Sequence, residues 1–185
     1  MGISLADAAA DCGAEVDLIL GPVSIAPVNE SVNVVNVTTA ESMASETIKR
    51  FNHCDIAILT AAVADFTPAD VKTEKIKKKG NELTIRLKST VDIAEALGKL
   101  KRKGQFLAGF ALETSDEISN AKEKLIRKNL DIIVLNSLKD PGAGFGHETN
   151  KITIIDRNNN IDKFELKSKE EAATDILDKI VSLIS

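Results

Sequence analysis

An aspartate and a run of lysines that begins ten residues further along are the residues of this chain best suited to chemistry. Asp65 follows the small residues 60–64, which come directly after the apolar run Ile56–Leu59. Lys75 begins a basic segment, residues 75–79, which we name the flap. Lysines bind phosphate oxygens, while a carboxylate binds a metal ion or a ribose hydroxyl. The spacing therefore suits a polyphosphate ligand that is held between an acid and a basic flap.

Two more lysines, Lys124 and Lys128, form a second cationic group. They are four residues apart on a predicted helix, so their side chains share one face. Runs of lysine are nevertheless usually solvated, and charge alone leaves open a purely solvating role for the flap and for this helix face. The residues by themselves indicate nucleotide phosphates bound by lysines, and no more than that.

The composition argues against several other kinds of partner. A net charge of −4 offers no general attraction to nucleic acid or to an anionic membrane. An aromatic content of 3% offers no stacking platform for single-stranded nucleic acid. No apolar run approaches the length of a membrane span. We therefore expect a cytoplasmic protein with neither nucleic acid nor membrane as a partner.

Motifs of the commoner cofactor sites are missing. Cys12 and Cys54 have no CxxC spacing and only two histidines accompany them, so no zinc set is predicted and both thiols are expected to be free. There is no Walker A loop, and no GxGxxG stands between a strand and a helix. The glycine-rich loop 136–150 only superficially resembles such a fingerprint, because His147 stands where a third spaced glycine would be. P-loop chemistry is excluded and ordinary NAD binding is disfavoured.

The elements that must position these residues alternate between helix and strand. Helical spacing of apolar residues predicts a first helix over Ile3–Cys12, ended by Gly13. Thr38 and Glu41 form a capping box that begins a helix running to about Asn52. The strands predicted in this half of the chain are Glu15–Leu20, Val32–Val37 and Ile56–Leu59.

The second half continues the alternation. Three helices are predicted: one capped by Thr90 and running from Val91 to about Arg102, one with the capping box Thr114/Glu117 that runs to Lys128, and one with the capping box Ser168/Glu171 that runs to Ile184. The predicted strands are Gln105–Phe110, Asp131–Leu135 and a hairpin of Lys151–Asp156 with Ile161–Leu166. After a turn at Gly80-Asn81, Glu82–Lys88 is predicted as a half-exposed strand, antiparallel and outside the main sheet.

This order predicts one α/β domain over residues 1–185. Its fold is expected to be Rossmann-like: a mostly parallel sheet with helices on both faces, an inserted basic flap, and a C-terminal hairpin followed by a helix. A doubly wound domain normally begins with a strand that feeds its first helix, and here the first helix has nothing in front of it. We expect a first strand and its phosphate-binding loop to be missing from this chain.

Five segments together resemble a known family. GPVS (21–24), AAVAD (61–65), EKIKK (74–78), GFALET (109–114) and KEKLIRKNLD (122–131) look like the phosphopantothenate–cysteine ligase domain of bacterial coenzyme A biosynthesis, which is often fused to a decarboxylase. The resemblance extends from residue 1 to the final helix, and the specific signal is AAVAD with EKIKK at this spacing. The family's Ser- and Gly-rich loop, which carries an asparagine, would precede Met1 and is absent here.

The resemblance implies a Rossmann-like fold and a reaction in which 4′-phosphopantothenate reacts with CTP to give an acyl-cytidylate and pyrophosphate, after which the amine of L-cysteine displaces CMP. It implies Mg²⁺ as cofactor and a homodimer. It also assigns residue roles. Lys75 would be catalytic, and Asp65 would hold the nucleotide or its metal ion. The remaining residues would contact CTP. Five of them would do so largely through backbone groups: Ala61, Ala62, Val91, Asp92 and Ile93. The other three are Phe110, Lys124 and Lys128.

Two other interpretations remain open at this point. One is a non-catalytic nucleotide-binding or dimerisation module, which a missing first loop would suit. The other is an NAD(P)-linked oxidoreductase. Pyrophosphate release that depends on CTP and phosphopantothenate would distinguish the ligase from both, and an absorbance change of added NADPH would favour the oxidoreductase.

Overall fold

The computed structural model describes residues 1–71, 74–77, 82–113, 116–137 and 148–184. Within these ranges five helices flank strands on both faces. The predictions for Lys78, Lys79, the turn Gly80-Asn81, the cap Thr114 and loop residues 138–147 lie outside the described residues. The helices are α1 (Gly2–Asp11), α2 (Ala40–Phe51), α3 (Ile93–Leu100), α4 (Glu117–Arg127) and α5 (Lys169–Ile184).

The described strands form one large sheet and three pairs. The large sheet has the order β10-β9-β7-β6-β3, in which β3, β6 and β7 are parallel and the hairpin β9–β10 is antiparallel. β1 and β2 form a separate parallel pair, while β4–β5 and β8–β11 are antiparallel pairs. The bounds are β1 Asp17–Leu20, β2 Asn33–Asn36, β3 Ile56–Leu59, β4 Phe66–Pro68, β5 Leu87–Ser89, β6 Phe106–Glu113, β7 Ile132–Ser137, β8 Thr149–Asn150, β9 Ile152–Asp156, β10 Ile161–Lys163 and β11 Lys167–Ser168.

Each face of the large sheet carries its own core. Phe51 of α2, Leu97 of α3 and Leu125 of α4 pack with one set of strand residues. Leu5 of α1 and Ile176 of α5 pack with the other set. Because both faces are covered, the central strands are apolar at successive positions, as the unbroken apolar runs of the sequence predicted. The predicted Rossmann-like α/β fold is confirmed.

Two predicted helix starts are wrong by one or two residues. The capping box of α2 is Thr39 with Ser42, whose backbone N–H donates to Thr39 Oγ1 at 3.0 Å, and not Thr38 with Glu41. Helix α3 is capped by Asp92, which accepts from the backbone N–H of Glu95 at 3.0 Å, and not by Thr90. The two threonine positions each compete with a neighbouring cap residue, and the buried face of the helix decides which one is used.

The other two caps have different outcomes. At α5 the predicted box is present: Glu171 N–H donates to Ser168 Oγ at 3.1 Å, and Ser168 N–H donates to Glu171 Oε2 at 3.0 Å. Helix α4 begins after Asp116, whose φ is 45° and whose side chain makes no capping bond.

The strand predicted over Glu82–Lys88 is shorter than expected. Only Leu87–Ser89 pairs, antiparallel with Phe66–Pro68 of β4. All three β5 residues are exposed, so no core contact extends the strand toward residue 82. Its antiparallel direction and its position outside the main sheet agree with the prediction. We name the β4–β5 pair together with residues 82–86 the arm; the flap lies between its two strands in the chain.

Candidate functional site

The carboxyl ends of β3 and β6 open into a cavity of about 1170 Å³. In open α/β sheets this edge is where ligands bind. Eight of the ten residues predicted to form a site line the cavity: Ala61, Asp65, Val91, Asp92, Ile93, Phe110, Lys124 and Lys128. They come from the end of β3, the start of α3, the middle of β6 and one face of α4, so residues up to 67 positions apart in sequence meet there.

The backbone at Asp65 is held in place by Thr90, the residue that follows β5. Thr90 N–H donates to the carbonyl oxygen of Asp65 at 2.9 Å, and Thr90 Oγ1 donates to the carbonyl oxygen of Ala64 at 2.6 Å. These bonds tie the segment after β3 to the segment before α3. The carboxylate of Asp65 itself is exposed at the cavity, where it is free to meet a ligand or a cation.

The start of α3 presents backbone donors to the cavity. Asp92 caps the helix through Glu95 N–H, while Val91 and Ile93 stand on either side of the cap. Ile93 is buried in the core beneath α3 and so fixes the first turn against the sheet. The unpaired N–H groups and the dipole of a helix start favour negative charge, which suits an anionic ligand at this end of the cavity.

Lys128 reaches across from α4 and forms an ion pair with the same aspartate. Its Nζ lies 2.8 Å from Asp92 Oδ2 and 3.1 Å from Oδ1, and its side chain is 19% exposed. Burial acts to raise the pKa of the Asp92 carboxyl, but the hydrogen bonds from Lys128 and from Glu95 N–H outweigh it and lower the pKa below its ordinary value. Asp92 is therefore held as a carboxylate, and it orients Lys128 along the cavity wall.

Lys124 and Phe110 complete this wall. Lys124 is half-buried one turn before Lys128 and lines the same cavity, as the four-residue spacing predicted. Phe110 is half-buried in β6, where it packs against the α1/α5 core. The preceding residue must be small: a Cβ on Gly109 would lie 2.7 Å from Leu130 Cδ1, so glycine allows the segment after α4 to approach β6 closely.

Two predicted site residues do not line the cavity. Ala62 is exposed beside it, and Lys75 is exposed in the described part of the flap, residues 75–77. In the chain, the flap lies between β4 and β5. Strand β4 begins directly after Asp65, and β5 ends directly before Thr90; these two residues are joined by a backbone hydrogen bond. The chain thus leaves the cavity at Asp65, passes through the flap, and returns to the cavity at Thr90.

Three of the cavity residues that sequence reasoning missed lie near the carboxyl end of β3. Thr60 was taken only as part of a small-residue run, Thr90 only as a helix cap, and Gly2 lies just before the predicted first helix. A Cβ on Gly2 would lie 2.5 Å from Thr60 Oγ1, so the start of α1 is pressed against the end of β3. A small residue at a helix start is a weak signal of such contact, and it becomes clear only when the partner strand is known.

The described residues contain no group of three or more histidine, cysteine, aspartate or glutamate side chains that could hold a metal ion. Asp65 and Asp92 are the lining carboxylates near the carboxyl edge of the sheet, while Glu15, Asp17 and Asp55 line the cavity near the amino ends of β1 and β3. Mg²⁺ is commonly bound by one or two carboxylates together with substrate phosphates, so this donor set fits a magnesium ion that arrives with a nucleotide. None of the described helices is both long enough and apolar enough to cross a membrane.

A mostly parallel sheet with helices on both faces and a cavity at its carboxyl edge defines the class of Rossmann-like α/β domains. Residues 1–184 match the sequence model of the DNA/pantothenate metabolism flavoprotein C-terminal domain, and the chain belongs to this family.

Two relatives show how much of a longer protein this chain matches. The chain is 62% identical over 184 residues to a cysteine/cysteine sulfinic acid decarboxylase from an unspecified prokaryotic organism, covering 100% of this chain and 51% of that protein. It is 43% identical over 183 residues to the coenzyme A biosynthesis bifunctional protein CoaBC of Bacillus subtilis, covering 99% of this chain and 45% of that protein. The chain therefore spans about half the length of the curated relatives it matches.

Solved structures agree with the fold. The crystal structure of the C-terminal domain of CoaBC superposes with a TM-score of 0.82 at 32% identity, covering 98% of this chain and 81% of that one. A Cab2 mutant in complex with phosphopantothenate-cysteine superposes with a TM-score of 0.66 at 17% identity, covering 84% of this chain and 53% of that one. The second likeness shows the fold alone.

Proposed function

We propose that this domain joins 4′-phosphopantothenate and L-cysteine in a CTP-dependent reaction of coenzyme A biosynthesis. The observation that carries the proposal is the convergence of Asp65, Lys124, Lys128 and the start of α3 on one cavity at the carboxyl edge of the sheet. Three features that favour phosphate thus come together from distant parts of the chain. Membership of a family that includes the C-terminal half of CoaBC supports the same reaction.

The name of the decarboxylase relative does not weigh against this proposal. That protein is about twice as long as this chain, so its printed activity describes a molecule of which this domain covers 51%. The CoaBC relatives are likewise named as bifunctional proteins, and this chain covers 45% of the Bacillus subtilis protein, so that name also describes a longer molecule. We propose that a phosphopantothenoylcysteine decarboxylase is fused to or associated with this domain in the parent protein.

The first chemical step activates a poor acyl donor. A carboxylate oxygen of 4′-phosphopantothenate attacks the α-phosphorus of CTP, the bond from that phosphorus to the bridging oxygen breaks, and pyrophosphate leaves with the electron pair. The product is a mixed anhydride, the acyl-cytidylate. Lysines near the phosphates offset the charge that grows on the leaving group, and groups already fixed in place need no reorganisation during the step.

Each of the ten predicted site residues has a role in this step. Lys124 and Lys128 hold triphosphate oxygens, and Phe110 and the backbone of Ala61, Ala62, Val91, Asp92 and Ile93 hold the nucleoside. Lys75, carried by the flap, closes over the phosphates and is the catalytic residue. Asp65 holds Mg²⁺ together with the phosphate oxygens; when bound, that ion neutralises phosphate charge.

The second step forms the amide. The amine of L-cysteine attacks the acyl carbon, CMP leaves with the electrons of the anhydride bond, and the amine loses a proton. The acyl-cytidylate and the amine must be held in a fixed geometry for this step.

The test begins with CTP binding measured by calorimetry in the presence of Mg²⁺. We expect Lys128→Gln to weaken binding by about 10- to 100-fold, the value of one or two charge-assisted hydrogen bonds. Lys163→Gln, on β10 at the opposite edge of the sheet, is the matched control and should leave affinity unchanged. ATP that competed with CTP as well as CTP itself would show that base recognition is assigned wrongly.

Turnover separates the ligase from a non-catalytic module. Phosphopantothenoylcysteine and pyrophosphate formation are measured with CTP, 4′-phosphopantothenate and L-cysteine in the protein that carries this domain. We expect both products only when all three substrates are present. CTP binding without pyrophosphate release would leave a binding module as the better description.

A further inference from the structure

The reach of Lys128 depends on the position of the end of α4. Lys128 is the C-cap of α4, and its Nζ lies 2.8 Å from Oδ2 of Asp92, the N-cap of α3. Its backbone carbonyl lies instead against Gly98, six residues after Asp92. Because side chains on a helix point toward its amino end, the lysine extends along α3 from Gly98 back to Asp92. A displacement of the end of α4 would therefore move the ammonium group away from the carboxylate.

The residue after the cap, Asn129, turns the chain with a left-handed backbone conformation, φ 53°. Its N–H donates to the carbonyl oxygen of Ile126 at 3.1 Å, and Leu130 N–H donates to that of Leu125 at 3.0 Å. This is the Schellman arrangement, in which glycine is the usual residue at the left-handed position. Glycine would suit this backbone at least as well, so what asparagine adds is its side chain.

The carboxamide of Asn129 joins α4 to two other elements. Its Nδ2 donates to the carbonyl oxygen of Gly98 in α3 at 2.7 Å. Its Oδ1 accepts from Nη2 of Arg157, which lies in the turn between β9 and β10. A carbonyl on one side and a guanidinium on the other determine which end of the amide faces which element. The end of α4 is thus held both by the helix that begins at Asp92 and by the sheet.

Arg157 is itself fixed at the beginning of β7. Its Nε donates to the carbonyl oxygen of Leu130 at 2.6 Å and lies 3.4 Å from Asp131 Oδ1. Asp131 in turn accepts from Nζ of Lys101, at the end of α3, at 2.8 Å. The nitrogens of a guanidinium form a planar fork, so arginine can bond to Leu130 and Asn129 at once, whereas lysine presents a single nitrogen. One network therefore connects α3, α4 and the start of β7.

We propose that Asn129 and Arg157 are positioning residues that hold Lys128 against Asp92 and thereby fix its place in the cavity wall. The inference rests on the proposed function only in taking Lys128 as a phosphate-binding residue. Neither Asn129 nor Arg157 lines the cavity, so both act through Lys128. Groups that are fixed before a ligand arrives need not be ordered when it binds. Loss of either residue should therefore weaken CTP binding although neither contacts CTP.

The carboxyl of Asp92 reports on Lys128 without any ligand. Burial raises the pKa of this carboxyl, and the hydrogen bonds from Lys128 and from Glu95 N–H lower it by more. Asn129→Gly keeps the left-handed backbone and removes both side-chain bonds, so we expect the variant to fold, Lys128 to move and the pKa of Asp92 to rise toward its ordinary value. Arg157→Gln should change this pKa in the same direction. The ¹³C shift of the Asp92 carboxyl carbon, followed by NMR across pH, measures it.

Asn159→Gly is the matched control. Asn159 also has a left-handed backbone conformation, φ 64°, and its side chain makes no hydrogen bond in the described part of the chain. The same substitution there should leave the pKa of Asp92 unchanged. An unchanged pKa of Asp92 in both Asn129→Gly and Arg157→Gln, with each variant shown to be folded by circular dichroism, would overturn the proposal.

CTP affinity tests whether the two residues act through Lys128. With Lys128 present, we expect Asn129→Gly and Arg157→Gln each to weaken CTP binding in Mg²⁺ by about 3- to 30-fold, the size of ordinary coupling within one contact network. In the Lys128→Gln background neither substitution should weaken binding further, and an equal loss in both backgrounds would overturn the proposal. A wild-type chain that bound no CTP would contradict the proposed function, and the pKa of Asp92 would then decide the positioning role by itself.

Discussion

At the scale of single residues, the pair Asp92–Lys128 connects structure to the proposed chemistry. One carboxylate caps α3 through Glu95 N–H and also binds Lys128 at 2.8 Å. The helix start and the lysine are thereby fixed relative to each other before any ligand arrives. Such preorganisation reduces the cost of binding, because neither group has to be ordered when phosphate enters.

Lys75→Ala tests the flap. We expect acyl-cytidylate formation to slow by about 10²–10³-fold, by analogy with the loss of one preorganised donor, while CTP affinity changes much less. The reason is that a flap lysine acts most strongly after charge has moved onto the phosphates. Single-turnover pyrophosphate release measures the rate in a chain that carries the family's first loop, with Lys163→Ala as the control. Full turnover in Lys75→Ala would remove this lysine from the mechanism.

Asp156→Asn tests a buried charge away from the site. Asp156 is 2% exposed; burial acts to raise its pKa, but hydrogen bonds from Asn160 and from Lys179, 3.3 Å away, outweigh burial and lower the pKa. A lowered pKa in the folded state stabilises the protein above the ordinary aspartate pKa of about 4, and this contribution is lost as pH falls through the folded value. We expect the variant to lose about 1–3 kcal/mol at pH 7, and a loss that shrinks progressively as the pH falls below about 4.

Urea unfolding of both proteins across this pH range measures the difference. Asp162→Asn is the control, since that residue also pairs with Lys179 but is 44% exposed. A stability difference that stayed constant from pH 7 to pH 2 would contradict the assigned cause.

At the scale of elements, the contact between α3 and the end of α4 positions Lys128. A Cβ on Gly98 would overlap the backbone carbonyl oxygen of Lys128, and Gly98 C=O accepts from Asn129 Nδ2 at 2.7 Å. In most helices alanine is preferred to glycine by about 0.5–1 kcal/mol. Here the close approach of two elements reverses that preference.

Gly98→Ala should therefore destabilise the domain by about 1–3 kcal/mol, the usual cost of overpacking, and should weaken CTP binding by moving Lys128. Gly21→Ala is the matched control, because its Cβ would meet only Met43 Cε at an ordinary 3.6 Å. Thermal unfolding and calorimetry give the two values. A Gly98→Ala variant as stable as the wild type would show that α3 and α4 are not held this closely.

At the scale of the whole molecule, the arm presents apolar side chains to solvent. Phe66, Leu83, Ile85 and Leu87 are between 53% and 65% exposed. Short strands with open edges and exposed apolar side chains commonly pair with another chain. The family resemblance implies a homodimer, and we propose the arm as its interface in this protein.

The double variant Leu83→Lys/Ile85→Lys should shift the protein from dimer to monomer, since it places like charges on both copies of the arm. Sedimentation velocity measures the state over a range of concentrations. Ile126→Lys, at an exposed position of α4 outside the arm, is the control and should remain dimeric. A wild-type chain that sediments as a monomer at all concentrations would refute the arm as an interface.

The sequence alone determined the class of fold, the order of most elements and the family. Apolar runs such as Ile56–Leu59 and the capping box at Ser168 and Glu171 depend on residues within a few positions of each other, so their signals are local. The spacing of Lys124 and Lys128 correctly placed both on one helix face for the same reason.

Only the tertiary structure decided which of these residues meet. Asp92 was preferred to Thr90 as the cap of α3 because Ile93 must enter the core and because Lys128, 36 residues away, binds the carboxylate. The predicted strand over Glu82–Lys88 shortened to Leu87–Ser89 because no core lies beneath it. Such long-range contacts depend on the packing of whole elements, which no local pattern of residues specifies.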